Sequence, residues 1–449
     1  MASDQPLATE QRERESVGRD AWWTNGWLLI VAGVWKGGDR MDRAEKCAWQ
    51  VIETLEAAGH QAYLVGGCVR DRLLARQIVD YDITTSARPE EVQSLFAQTV
   101  PTGIRHGTIS VLVGSLQYEV TTFRTDGEYT DGRRPSEVQF VRSLVEDLAR
   151  RDLTINAMAL GRDGILHDPF GGQRDLEQQR IRAVGDPRRR FEEDALRILR
   201  AIRFAAQLRF EIEERTLQAI AEEASSLQAI SRERIREEWH KMLLTHPDLA
   251  IRLLLQTDTL RYIFFRPPAD RTLWQRAADW AGRAPADLAL RTFLLYSAIG
   301  LDQPRMEKNM QGLKLSSSLK RELHEQISMQ SSGSPAAWSD LQFRQLFFEY
   351  GHRAVWRRCL IHAVSQDANR LQAWSERVDH HRQQQPLWNL QDLAVTGQDL
   401  IRAGIPAGPA LGRWLQRLAQ LVLRDPAKNE REVLLHQLQR WRAEETGDA

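Results

Sequence analysis

Apolar positions along this chain change period several times, and each change marks an expected element. Across 41–58 they recur every three to four residues, the spacing of an amphipathic helix. Ala62–Val65 is a short apolar run closed by Gly66-Gly67, so it reads as a buried strand and a turn. A short basic helix, 68–74, follows with Arg70 on it, and a second strand is expected to end in Asp80-Tyr81-Asp82. Helical spacing returns over 89–99 through Val92, Leu95 and Phe96. His106-Gly107-Thr108 then leads into two runs, 109–113 and 116–120, that read as a hairpin around Gly114-Ser115.

Beyond 121–124 the pattern turns polar. Gly127, Gly132, Pro135 and the pair Arg133-Arg134 read as a mobile loop between strands. Helical spacing resumes over 144–160, 192–208 and 231–244. From Pro247 onward almost every segment is helical, interrupted at Pro267-Pro268, Pro285, Pro304, Gly333-Ser334-Pro335 and Pro386, with no repeat of fixed period. The fold class is therefore α+β, a head with a mixed sheet followed by helical parts.

Composition narrows the functional classes. With 449 residues, 42% of them hydrophobic, the chain can bury several cores. Lys+Arg and Asp+Glu each number 61, so affinity for nucleic acid must come from a local basic face. Such a face is offered by Arg180, Arg182, Arg188, Arg189, Arg190, Arg197, Arg200 and Arg203. Three cysteines, Cys47, Cys68 and Cys359, are too few and too scattered for a disulfide framework or a zinc cluster, which fits a reducing cytoplasm. In residues 1–40 the longest apolar run, 27–35, is far short of the roughly 20 residues that span a bilayer. No membrane association is expected. The extension shows no period and is left unassigned, with Met41 expected to be the natural start.

The candidate chemistry lies mostly in the head. Gly66-Gly67 lets backbone approach an anion without a Cβ in the way, although plain turn chemistry explains the same pair. Strand period puts Asp80 and Asp82 on one face. Two carboxylates there repel unless a cation lies between them, so the pair points to a divalent metal, Mg²⁺ bound with nucleotide phosphates; an exposed Asp-x-Asp is the alternative. Glu119, opposite in face to Tyr118, is a candidate third carboxylate or an exposed strand residue. Arg150, Arg151 and Asp152, with Asn156 a turn later, form one polar stripe in which Arg151 suits a triphosphate and Asp152 a ribose hydroxyl. Asp194, Arg197, Arg200 and Arg203 recur every third residue on the helix expected at 192–208, a slanted ribbon whose usual reading is helix ion pairing.

The segments LVGGCVRD, DYDITTSA, VTTFRTDGEYTDGRRP, LARRDLTINAMA, DPFGGQRDL and EEDALRILRAIRFA follow in that order over about residues 60 to 210. Together they resemble the bacterial class II tRNA nucleotidyltransferases, the CCA-adding enzymes. The resemblance implies a polymerase-β-like nucleotidyltransferase head (41–180) and an all-helical neck (181–245), body (246–386) and tail (387–449). It also implies Mg²⁺-dependent, template-independent addition of C, C and A to tRNA from CTP and ATP. Matched residue by residue, the family's catalytic, metal-binding carboxylates fall on Asp80 and Asp82. Its nucleotide contacts fall on Gly67, Arg70, Arg151, Asp194, Arg197, Arg200 and Arg203, with Asp194 and Arg197 as the base-reading EDxxR pair. The run GQDLIRAGIPAGPALGRWL is similar to the family's tail pattern, in which Gly404, Gly408, Pro409 and Gly412 would approach the tRNA elbow.

Rivals within the fold are A-adding and CC-adding enzymes and poly(A) polymerase; the intact loop from Arg124 to Pro135 speaks against a CC-adding enzyme. A non-catalytic tRNA-binding module is the rival of another class. His167-Asp168 is not read as a phosphohydrolase motif, since no further His and Asp set follows at metal-ligand spacing. Monomer and homodimer both stay open.

Overall fold

The computed structural model describes residues 43–126, 138–366 and 368–446. These form two compact units that divide between Ser231 and Arg232, inside the stretch expected as the neck.

In the first unit the opening amphipathic run is helix α1 (Arg43–Ala57), which buries Ala48, Val51, Ile52 and Leu55 at the three- and four-residue spacing of one helical face. The chain continues through β1 (Ala62–Val65), α2 (Gly67–Leu73), β2 (Asp82–Thr85), α3 (Pro89–Leu95), β3 (Thr99–Gly103), β4 (Thr108–Val113) and β5 (Leu116–Thr122). Next, β6 (Arg124–Asp126) pairs with β7 (Val138–Phe140) on either side of the polar stretch, of which 127–137 lie outside the described residues. Helix α4 (Leu144–Ala149), β8 (Ala159–Leu160), β9 (Leu166–His167) and α5 (Gly172–Glu177) follow.

Among the described residues seven strands form one mixed sheet in the order β3-β4-β5-β2-β1-β8-β9. Within it β2 and β5 run parallel, with Asp82 opposite Glu119 and Thr84 opposite Thr121. Strand period places these four on one face. The other face holds Tyr118, whose hydroxyl donates to the Ala44 carbonyl of α1 at 2.7 Å.

Several expected elements change at their ends. Strand β2 begins at Asp82 rather than ending there; the apolar Ile78-Val79 do not extend it, because nothing covers Val79, which is 82% exposed. The 89–99 segment is helical only to Leu95, and Thr99 already belongs to β3. The 144–160 segment is not one helix: α4 stops at Ala149, a 3₁₀ turn spans Thr154–Asn156 and β8 follows. Leu153, Ile155, Ala157, Met158 and Ala159 are buried in succession, and an apolar run buried all round carries no period to tell helix from strand.

The neck is not wholly helical either, since β10 (Arg180–Ile181) pairs in parallel with β11 (Glu211–Ile212). Its expected helix 192–208 is two: α6 (Pro187–Glu193) and α7 (Leu196–Leu208). Asp194 lies between them in extended backbone (φ −149°, ψ 102°), and its carboxylate accepts from the Leu196 N–H at 3.1 Å. A short acidic side chain that bonds local backbone this way competes with helix continuation.

The second unit is helical from Arg232–Leu244 to Arg431–Thr446, and its longest helix, Asp340–Gln366, bends at Gly351 (φ 77°). Met329, Phe343, Phe347, Cys359 and Val378 form one core, while Leu387, Leu400, Leu418, Val422, Leu434 and Leu438 form another within the expected tail. Gly404 and Gly408 adopt positive φ, and a Cβ on Gly404 would meet the Arg442 guanidinium at 2.9 Å. Gly412 instead faces open space within the helix Pro409–Arg424. Among the described residues no helix is long and apolar enough to cross a membrane.

Candidate active site in the head

The site is built around the start of β2. Asp82 is half-buried and Asp80 exposed, and Glu119 is brought beside Asp82 by strand register. Burial raises the Asp82 carboxyl above its ordinary range; Arg151 opposes that rise, and Glu119 and Asp80 add to it. Mutually repelling carboxylates with an exposed member fit a hard divalent cation that takes oxygen ligands. Among the described residues no three His, Cys, Asp or Glu side chains close into a complete metal cage. Two carboxylates leave positions for phosphate oxygens and water, which is the habit of Mg²⁺.

The glycine turn lies beside this set. Gly66 has φ 77° and donates its N–H to the Met158 carbonyl at 3.1 Å; a Cβ there would stand 3.0 Å from Arg151 Nη1. A Cβ on Gly67 would lie 3.7 Å from Arg70 Nη2. Arg151 thus passes over the turn towards Asp82, held by Asp147 at 3.4 Å, and its buried Nε has no hydrogen-bond partner among the described residues. A buried donor without a partner costs about 1–3 kcal/mol, so an anion over the turn would be welcome there.

Arg70 is more committed than the sequence suggests. It is buried, bonded through Nε and Nη2 to both oxygens of Asp71 at 2.9 and 2.8 Å, and through Nη1 to Asn156 Oδ1 at 2.7 Å. Asn156 in turn donates to Asp152 Oδ1 at 3.2 Å, so the stripe expected on a helix forms across a 3₁₀ turn. Asp152 Oδ2 accepts from Arg200 Nε at 2.7 Å. Burial alone would raise the Asp152 carboxyl, but the Arg200 charge and hydrogen bond, with Asn156 and Arg197, hold it well below the carboxylate range. Both Asp152 oxygens, the ones expected to meet a ribose hydroxyl, thus already accept at least one bond within the protein.

On the neck side Arg197 donates to Glu193 Oε2 at 2.5 Å, to the Arg190 carbonyl at 3.1 Å and to the Arg150 carbonyl at 3.0 Å. Arg203 donates to Gln207 at 2.9 Å. The slanted ribbon therefore holds for Arg197, Arg200 and Arg203 on α7, while Asp194 stands off the helix. His167 packs edge-on against Tyr63, and Asp168 caps α5 through the Gly172 and Gln173 N–H groups at 2.7 and 2.9 Å.

Three residues escaped sequence reasoning. Asp147, fully buried, receives both Arg150 and Arg151 and the Thr84 hydroxyl; its spacing three and four residues ahead of the arginines was the available signal. Burial would raise its carboxyl, yet Arg151 and Arg150 keep it below the ordinary range. Glu193, four residues ahead of Arg197, had the same kind of signal. Phe204, whose ring lies under the Arg70, Arg200 and Arg203 guanidiniums, had none, because an aromatic residue in a helix reads as core.

Carboxylates at the edge of a parallel strand pair, beside a glycine turn and a bank of arginines, define a nucleotidyltransferase head. Residues 62–182 match the poly A polymerase head domain, 209–271 the RNA and SrmB-binding site of polymerase A, and 289–438 tRNA nucleotidyltransferase domain 2. The CCA-adding enzyme of Lactiplantibacillus plantarum is 38% identical over 397 residues, covering 87% of this chain and 95% of its own. That of Enterococcus faecalis is 40% identical over 393 residues, with 87% and 94% covered. The chain belongs to the family of bacterial CCA-adding enzymes. The crystal structure of the Bacillus stearothermophilus CCA-adding enzyme in complex with CTP matches with a TM-score of 0.76 at 34% identity, over 91% of this chain and 100% of that one. The Thermotoga maritima CCA-adding enzyme complexed with tRNA shares the fold, with a TM-score of 0.60 at 22% identity over 92% and 98%.

Proposed function

We propose that this protein adds C, C and A in turn to the 3′ end of tRNA in the cytoplasm, taking CMP and AMP from CTP and ATP and releasing pyrophosphate. The observation that carries the reading is the Asp82–Glu119 register, with Asp80 and Arg151 alongside. The division of labour follows the family: head 41–180, neck 181–245, body 246–386 and tail 387–449, the last holding tRNA.

The family uses a divalent metal. Here Asp80 and Asp82 would hold Mg²⁺, with Glu119 beside them, and the ion would supply positive charge at the α-phosphate and at the attacking hydroxyl. The tRNA 3′ hydroxyl gives up its proton to solvent as its oxygen attacks the α-phosphorus, the bond to the bridging oxygen breaks, and pyrophosphate leaves with the electron pair. Arg151, over Gly66-Gly67, binds the triphosphate. Asp194 and Arg197 offer an acceptor and a donor fork that suit the edge of cytosine or adenine, and Arg70, Arg200 and Arg203 complete the nucleotide contacts.

The test is incubation of tRNA lacking its 3′ CCA with CTP, ATP or both, with products sized on a gel. CTP alone should add two cytidines, and both together a single further adenosine. Long adenosine tails, or arrest after cytidine with ATP present, would overturn the reading.

A further inference from the structure

Phe204 lies on α7 with its ring in the first unit's core, 6% exposed, and three guanidiniums gather on it. Arg203 stands 3.9 Å from the ring centroid, Arg70 4.8 Å and Arg200 5.6 Å. The two from α7 come from its own helix, one of them a full turn earlier, whereas Arg70 comes from α2, next to the glycine turn. The ring is therefore where the arginine of the glycine-turn helix meets those of the neck helix. A second path runs beside it, from Arg70 to Asn156, Asp152 and Arg200 by hydrogen bonds of 2.7, 3.2 and 2.7 Å. Three like charges within about 6 Å of one ring repel one another, and the negative face of the ring offsets part of that repulsion. An aliphatic side chain of similar volume fills the space but has no such face.

We infer that Phe204 is a positioning residue for nucleotide binding, its aromatic face setting the Arg70, Arg200 and Arg203 guanidiniums in one arrangement ahead of CTP and ATP. The inference rests on the proposed function, because it needs those arginines to meet nucleotide. It makes two demands that a purely structural Phe204 does not. The effect must follow aromaticity rather than volume, and it must fall on nucleotide affinity and choice rather than on turnover.

Phe204→Leu stays apolar and helix-compatible at a somewhat smaller volume and removes the π face; Phe204→Tyr keeps the face. With tRNA lacking its 3′ CCA, Phe204→Leu should raise KM for CTP and ATP by about threefold to thirtyfold, the factor expected for a desolvated cation–π contact, with kcat nearly unchanged. Its preference for CTP over UTP should narrow, and Phe204→Tyr should return both towards the parent. A thermal melt on each variant separates folding from positioning. Unchanged KM and preference in Phe204→Leu would overturn the inference, as would a fall in kcat that tracks a fallen melting temperature and that Phe204→Tyr does not repair. Failure of the parent enzyme to incorporate CTP and ATP would instead strike the proposed function.

Discussion

Asp82 occupies a position that favours function over stability. Its charge is partly desolvated and faces Glu119 and Asp80, with Arg151 as the compensating cation. Replacing it removes the proposed metal ligand and a source of repulsion together. Asp82→Ala should therefore melt at or slightly above the parent temperature while incorporating no nucleotide above background, and a clear fall in melting temperature would contradict this account. In the parent, EDTA should abolish addition and Mg²⁺ restore it; in Asp82→Ala added Mg²⁺ should restore nothing. Arg197 gives a second residue-scale prediction. Cytosine and adenine present a bare ring nitrogen, an acceptor, where uracil and guanine present a ring N–H, so a guanidinium donating there meets a donor, a mismatch worth about 1–3 kcal/mol per unmet group. Arg197→Ala should lower use of CTP and ATP together and shrink their advantage over UTP and GTP, by roughly fivefold to a hundredfold. Because Glu193 anchors that guanidinium, Glu193→Ala should shift discrimination in the same direction. Competition assays with the four nucleotides check both; full discrimination in both variants would return Asp194 and Arg197 to ordinary helix-end polarity.

At the scale of elements, the turn between β1 and α2 ties backbone conformation to arginine placement. Gly66 at φ 77°, ψ −124° occupies a backbone region open to glycine and hardly to other residues, at a cost of about 1–3 kcal/mol. A Cβ at 3.0 Å from Arg151 Nη1 can be relieved only by moving that flexible end, which is the group proposed for the triphosphate. Gly66→Ala should thus lose about 1–3 kcal/mol in urea unfolding and also raise KM for both nucleotides. Loss of stability with unchanged KM would show that Arg151 does not act from this position. The strand, glycine turn and helix here were legible because each rests on local chemistry. The splitting of 192–208 was less so: the apolar spacing continues through Asp194, and only the extended backbone there takes its carboxylate off the ribbon it was expected to share with Arg200 and Arg203.

Across the whole molecule the three cysteines report burial in both units. Burial lifts the Cys68 thiol to about 11 and the Cys359 thiol to about 12, so both stay protonated well above neutral pH. Cys47, on α1, is only half-buried. At pH 8 both thiols therefore stay almost wholly protonated, and access is blocked as well. Iodoacetamide on the folded protein should therefore label Cys47 alone, and after unfolding all three, counted by intact mass. Rapid labelling of Cys68 or Cys359 in the folded protein would contradict the packing beneath β2 or within the helix Asp340–Gln366.

Taken alone, the order of residues determined the α+β head, the helical remainder, the glycine turn, the two aspartates and the alternation that sets Glu119 against Tyr118. These follow from period, turn chemistry or motif spacing, which act over a few neighbouring residues, although strand period does not place Asp80, which lies ahead of β2. Only tertiary structure decided which charges meet. Register brings Glu119 to Asp82, the 3₁₀ turn joins Asn156 to Arg70 and Asp152, and Phe204 collects three arginines from two helices. Charge pairing is selected by proximity after the chain has folded, and a polar side chain carries no periodic mark of the distant partner it will find.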